Sequence, residues 1–95
     1  MTAYVIVIRD KTKDAAKLES YNASSRAAAA PDLELLAGRG ELQVLEGPHP
    51  ESVVILRFPN TAAARNWYNS NAYQKALTYA KDAVDRRVLL VEGAS

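Results

Sequence analysis

The β-forming segments of this chain are apolar on both of their faces. Residues Ala3 to Ile8, Ser52 to Phe58 and Arg87 to Glu92 are short and rich in β-branched residues, which indicates strands rather than buried helices. Side chains alternate between the two faces of a strand, yet valine, isoleucine and leucine fill odd and even positions alike. An antiparallel sheet covered by helices on one side normally carries polar residues on the other. These strands therefore need an apolar cover on both sides.

Helical segments separate the strands. Asp14 or Thr12 is the predicted cap of a first helix, which continues through the alanines 27–30 and stops before Pro31. Residues 33–36 and 41–45 are predicted to form one strand, interrupted by a glycine bulge at 38–40. A second helix begins near Thr61, and its Asn-Ser-Asn segment at 69–71 predicts a kink or a division. The apolar stripe of its second half comprises Tyr73, Ala76, Leu77, Ala80 and Val84.

The resulting βαββαβ order is that of the ferredoxin-like fold, an α+β architecture with two helices on one face of a four-stranded antiparallel sheet. A chain of 95 residues is short enough that residues 1–95 are expected to form a single domain. Two helices cover only one face, so we expect the other to pack on a second copy of the chain. Burying about 800 Å² on each partner contributes some 20 kcal/mol per partner before the costs of association. The alternative is a monomer with a slightly apolar surface.

Composition excludes several classes of partner and site. Twelve Lys and Arg against eleven Asp and Glu leave a formal charge of +1, so no nucleic-acid partner is expected. The absence of cysteine excludes disulfides and thiolate metal sites, and a single histidine, His49, in a Pro-His-Pro turn predicts a surface residue and no metal site. No apolar run approaches the roughly 20 residues of a membrane helix, and no secretion signal is evident at the N-terminus, so we expect no membrane partner and a cytoplasmic location.

Aromatic and polar side chains with chemical potential crowd into ten residues of the second helix: Arg65, Trp67, Tyr68, Ser70, Tyr73 and Gln74. Successive helical residues diverge by about 100°, so Trp67 and Tyr68 cannot both face the core. One of them is expected to face a partner or the mouth of a cavity. Packing and interface contacts are one interpretation of this cluster, and contact with a small ligand is the other.

Two arginines lie within apolar strands. Arg57 and Arg87 could each hold a carboxylate on a ligand, because a guanidinium binds carboxylates bidentately. The competing interpretation is an ordinary ion pair with Glu46, Glu92 or an acid of a partner chain.

The segment from Ala64 to Gln74, Ala-Arg-Asn-Trp-Tyr-Asn-Ser-Asn-Ala-Tyr-Gln, resembles a motif of the family called domain of unknown function 1330. Further fragments match in order: Ala3 to Val7, Leu45-Glu46-Gly47, Phe58-Pro59 and Val91-Glu92-Gly93. The resemblance covers essentially the whole chain and implies a dimeric α+β barrel, in which two ferredoxin-like sheets pack face to face. This chain departs from the family where Ala30-Pro31-Asp32 stands in place of a frequent Gly-Gly pair.

The resemblance leaves the activity open, because the wider superfamily includes cofactor-free oxygenases, haem-degrading proteins, muconolactone-type isomerases and stress-responsive barrels. The position of His49 in a turn argues against haem, and we expect no cofactor. One hypothesis is a pocket between sheet and helices that binds a small apolar or weakly acidic organic molecule. If the protein is an enzyme, it would transform this molecule by oxygenase- or isomerase-like chemistry. The candidate wall of the pocket is Tyr4, Arg65, Trp67, Tyr68, Ser70, Tyr73 and Arg87. The alternative is a non-catalytic ligand-sensing or interaction module whose aromatic residues serve the dimer.

Overall fold

The computed structural model describes residues 1–38 and 40–94 and has the predicted ferredoxin-like arrangement. Its elements are β1 (Ala3–Thr12), α1 (Ala15–Ala27), β2 (Glu34–Ala37), β3 (Ser52–Phe58), α2 (Thr61–Asn69), α3 (Asn71–Ala83) and β4 (Val84–Glu92). All strand pairs are antiparallel, and the order across the sheet is β2-β3-β1-β4. Within the described residues, no helix combines the length and the apolarity that crossing a bilayer requires.

Short polar side chains begin each helix. The Asp14 carboxylate accepts from the Lys17 amide at 3.1 Å, and the Asn60 side chain accepts from the Ala63 amide at 2.8 Å. Ser70 adopts an extended ψ of 148°, its amide closes α2 on the Trp67 carbonyl, and its hydroxyl accepts from the Tyr73 amide. The predicted division of the second helix is therefore confirmed, because one serine ends α2 and caps α3.

Other boundaries differ from the predictions. The first helix ends at Ala27 rather than Ala30, and β1 extends to Thr12. Val84 begins β4 instead of completing the stripe of α3, so β4 starts three residues earlier than predicted. Backbone pairing with β1, where Val84 lies opposite Thr12, outweighs the helical spacing of Val84.

The predicted strand at 41–45 is wrong. Residues 41–45 form no strand, and the Leu45 side chain is 92 % exposed. Gly38 adopts a φ of +148° and packs against Val54, and the chain leaves the sheet there after pairing Ala37 with Ile55. Apolar alternation alone does not make a strand where no neighbouring strand pairs with it.

The sheet has two apolar faces, as the sequence predicts. One face packs under α2, where Val5 and Phe58 form a buried core with Trp67 and Tyr73. Cross-strand pairs such as Ile6 with Ile55 and with Leu89 align on the opposite face, which we call the open face. The apolar residues of the open face are Tyr4, Ile6, Ile8, Val53, Ile55, Leu89 and Val91. Leu89 and Val91 remain 48 % and 47 % exposed, so nothing within the described chain covers this face fully.

The end of β4 approaches the start of β1 so closely that it requires glycine. The Gly93 amide donates to the Thr2 carbonyl at 2.6 Å, and a Cβ at Gly93 would lie 2.8 Å from that oxygen. We expect Gly93→Ala to lower the free energy of unfolding by about 1–3 kcal/mol, because the backbone must shift to accept the methyl group. Urea denaturation at a fixed protomer concentration measures this change. Gly40→Ala is the control, since no atom beyond its chain neighbours lies within 4 Å of its Cβ position, and equal stability of the two variants would contradict the expectation.

Candidate functional site

A cavity of about 570 Å³ lies between α1 and the sheet. α1 packs along α3, and no residue of α1 is buried, so the helix does not fill the space above the strands. The large aliphatic side chains that line this α1 cavity are Val7, Leu18, Leu33, Leu35, Val54, Leu56 and Val84. The sequence places the candidate residues chiefly on the second helix, whereas the cavity lies mainly beneath the first.

A cluster of three polar side chains stands against this apolar wall. The hydroxyls of Tyr21 and Tyr73 are 2.7 Å apart and share a hydrogen bond. Arg86 donates from Nη1 to the Tyr21 hydroxyl at 2.9 Å and from Nη2 to the Tyr73 hydroxyl at 3.3 Å. The guanidinium carbon also lies 4.8 Å from the centre of the Tyr21 ring, within cation–π range. The cluster therefore joins α1, α3 and β4 at the cavity.

Electrostatics keep the arginine of this cluster charged and Tyr73 neutral. Burial raises the pKa of Tyr73, and Tyr21 raises it further, so the Tyr73 phenol stays protonated at neutral pH. Burial acts to lower the pKa of Arg86, but the two tyrosines together outweigh burial and raise it. In the described part of the chain no carboxylate lies within 4 Å of this guanidinium. The positive charge of Arg86 is thus hydrogen-bonded but not neutralised.

Trp67 lines the cavity as part of an aromatic cluster. Its ring lies 4.2 Å from that of Tyr73 and 5.4 Å from that of Phe58, measured between centroids. The Trp67 Nε1 is buried and has no hydrogen-bond partner among the described residues. A buried indole N–H normally finds an acceptor, so this unpaired donor is an exception within the core.

The candidate residues of α2 and α3 divide between the cavity and the surface. Trp67 and Tyr73 line the cavity, whereas Tyr68 is 37 % exposed and Arg65 is exposed. The divergence predicted for Trp67 and Tyr68 is therefore confirmed. Ser70 does not line the cavity, but its hydroxyl donates to the Trp67 carbonyl at 2.8 Å and accepts from the Tyr73 amide at 3.2 Å. It holds the two cavity residues in place from behind.

The candidate residues on the strands lie away from the cavity. Tyr4 and Arg87 belong to the opposite face of the sheet, and Arg87 pairs there with Asp10 at 3.3 Å. Arg57 pairs with Glu34 at 2.7 Å. Both arginines thus form ordinary ion pairs, although with other acids than the predicted Glu46 and Glu92. His49, outside the sheet, is exposed as predicted.

Sequence reasoning missed Arg86 and Tyr21. Residues two positions apart in a strand share a face, so Arg86 lies on the same helix-facing side as Val88. The predicted strand began at Arg87 and therefore did not include Arg86. Tyr21 shares a helix face with Leu18, and both line the cavity. This spacing predicts a contact with the core but does not predict a polar role for the Tyr21 hydroxyl. Among the residues described, no three His, Cys, Asp or Glu side chains group closely enough to hold a metal ion.

The hydroxyl of Tyr73 should stabilise the fold measurably. Tyr73→Phe removes a hydroxyl that accepts from Arg86 and bonds Tyr21, and we expect a loss of about 1–3 kcal/mol in the free energy of unfolding. Tyr79→Phe on the exposed side of the same helix is the control and should change stability by no more than about 0.5 kcal/mol. Chemical denaturation checks both, and equal losses would show that the cluster does not stabilise the fold.

The fold is shared with several solved structures. A protein of unknown function from Rhodopseudomonas palustris superposes with a TM-score of 0.73 at 20% identity, covering 99% of this chain and 83% of that one. A protein described as dimeric and ferredoxin-like, from Thermobifida fusca, gives a TM-score of 0.64 at 20% identity and 96% and 90% coverage. SnoaB, a cofactor-independent oxygenase from Streptomyces nogalater, gives 0.61 at 15% identity and 99% and 93% coverage. At these identities the likeness shows the fold alone.

Sequence comparison defines the family. No curated protein matches the chain. The model of a family described as domain of unknown function (DUF1330) matches residues 2–94, which confirms the resemblance noted in the helical motif and the strand ends. Because that match spans nearly all of the sequence, the chain belongs to the DUF1330 family.

Proposed function

We propose that this protein acts as a homodimer, paired through its open faces, and that each protomer binds a small, largely apolar organic molecule in the α1 cavity. The observation that carries the ligand proposal is the donor cluster of Arg86, Tyr21 and Tyr73 set against an apolar wall. A few placed polar groups in an otherwise apolar concavity are typical of small-molecule sites, and about 570 Å³ lies within their usual size.

The apolar open face supports the dimer. Leu89 and Val91 are nearly half exposed, and the centre of the same face is formed by the apolar pair Ile6 and Ile55. Contiguous apolar surface of this kind marks an interaction site in a folded protein. The ion pairs Arg57–Glu34 and Arg87–Asp10 share this face and give it a charged component. The description of the Thermobifida fusca relative as dimeric adds support for pairing of the same fold.

Chemistry on the bound molecule is a second candidate, and one specific arrangement favours it. A guanidinium beside phenol hydroxyls stabilises negative charge that develops on a substrate oxygen, which enolisation and cofactor-independent oxygenation both require. The cofactor-independent oxygenase among the structural relatives adds support. Oxygen uptake and NMR of each ligand found to bind separate the candidates. Turnover that Arg86→Gln abolishes supports an enzyme, and binding without any change in the ligand supports a sensing module.

A charge on the open face should separate the protomers. We expect Leu89→Lys to give a monomer in sedimentation velocity at micromolar concentration, because a buried unpaired ammonium opposes association. Tyr79→Lys introduces the same charge on the outer side of α3 and should stay a dimer. An undisturbed dimer with Leu89→Lys would contradict the assignment of the interface.

Filling the α1 cavity should remove the ligand response without unfolding the protein. The screen is thermal unfolding with hydroxyaromatics, lactones and short organic acids, since a ligand at a hundred times its dissociation constant adds about 2.7 kcal/mol. Ser25→Phe places a ring in the cavity, and Ser20→Phe places one on the exposed side of the same helix. Each serine hydroxyl bonds only a carbonyl of its own helix, so the pair is well matched.

We expect ligands that raise the melting temperature of the Ser20→Phe variant to leave that of Ser25→Phe unchanged. No shift of the unaltered protein with any compound class would overturn the ligand proposal. Equal shifts in the two variants would place the binding site elsewhere.

A further inference from the structure

Two arginines lie side by side in the floor of the α1 cavity. Arg9 on β1 is the register partner of Arg86 on β4, and both side chains line the cavity. Like charges directly opposite each other on one face of a sheet destabilise it. Arg9 bonds Glu51 through Nε at 3.2 Å, whereas Arg86 bonds only the two tyrosine hydroxyls. The pair therefore keeps an excess of positive charge on the cavity side of the sheet.

The rest of the lining does not compensate this charge. Arg26 of α1 also borders the cavity, and no aspartate or glutamate does among the residues described. The chain as a whole carries eleven acidic residues against twelve Lys and Arg, so composition does not explain a lining with three arginines and no acid. Glu51 offsets the charge of Arg9, so an anion within the cavity would be attracted chiefly by Arg86 and Arg26.

The unused hydrogen-bond donors of the cluster also favour an anionic ligand. A guanidinium has five N–H groups, and Arg86 uses one on each of Nη1 and Nη2. Tyr21 and Tyr73 share one hydrogen bond, so the tyrosine that accepts in it has its own hydrogen left to donate. The Arg86–Tyr21–Tyr73 cluster offers a ligand more donors than acceptors, which favours an anion over a neutral molecule that carries donors of its own.

We propose that the Arg9–Arg86 pair is an oxyanion-binding site and that the ligand of the α1 cavity is a monocarboxylate with a small apolar body. The planar fork of a guanidinium matches a carboxylate in shape and charge. The apolar body lies against Val7, Val54 and Leu56, which line the wall beside the two arginines. This inference rests on the proposed ligand-binding function and specifies the head group of its ligand.

The test compares acids with their own amides. Phenylacetate, 3-phenylpropionate and isovalerate are each paired with the matching carboxamide, which keeps the shape and removes the charge. Ligand-observed NMR titration of the unaltered protein at pH 7 should give dissociation constants at least about tenfold lower for the acids. This comparison needs no variant and holds even if a substitution at Arg86 prevents folding.

Arg86→Gln and Arg87→Gln extend the comparison. They alter neighbouring arginines on opposite faces of β4, and only Arg86 lines the cavity. We expect Arg86→Gln to abolish the preference for acids and Arg87→Gln to preserve it.

The possible failures are distinguishable. Amides that bind as tightly as acids, or a neutral lactone or hydroxyaromatic that binds when every acid fails, would overturn the oxyanion site and leave the proposed function standing. Failure of every compound, charged or neutral, would overturn both. Loss of the acid preference in Arg87→Gln but not in Arg86→Gln would place the anion on the open face.

Discussion

The structure depends on a sheet that is apolar on both sides and is covered by its own helices on only one. Rows of cross-strand pairs, such as Leu89–Ile6–Ile55, run across the open face, while Val5 and Phe58 are buried on the other. The chain measures 35 × 35 × 18 Å, so the layer of helices and the layer of strands make a thin slab with one bare apolar side. Pairing two such slabs is the simplest way to remove that side from water, and it requires no further element of secondary structure.

The cavity has its origin in the composition of α1. Between Ala15 and Ala27 the large side chains facing the cavity are Leu18, Tyr21 and Arg26, and most other positions are small or polar. Such a helix packs along α3 without filling the space above the strands. Arg86 projects into that space, and the hydroxyls of Tyr21 and Tyr73 hold it there. The same contacts that fix α1 to α3 therefore build the polar end of the candidate site, so stability and the proposed binding depend on one cluster.

Much of the fold follows from local patterns in the sequence. β3 has its predicted limits, Ser52 and Phe58, and the break at Ser70 is where Asn-Ser-Asn places it. Short-range chemistry determines both features: β-branched runs bounded by turn residues, and a side chain that caps a helix. The two-sided apolar pattern also predicts the bare face, because it needs only the alternation of a strand.

The site is less predictable because it depends on pairing across the sheet. Whether a strand starts at residue 84 or 87 is decided by β1, whose extension to Thr12 provides the partner for Val84. The starting residue of β4 determines whether Arg86 falls within the predicted strand and becomes a candidate site residue. Of Arg86 and Arg87, only Arg86 faces the helices. Tyr68, prominent in the sequence motif, is exposed, whereas Tyr21 acquires its importance from a residue 65 positions away. Long-range contacts of this kind leave no periodic signal in the sequence.

Sedimentation equilibrium of the unaltered protein at low micromolar concentration tests the account most directly. Two paired sheets predict a mass twice the 10.4 kDa of the chain, with dissociation only where the circular dichroism of the fold is also lost. A stable species of 10.4 kDa that keeps its native spectrum would show that the open face tolerates water and would contradict the account.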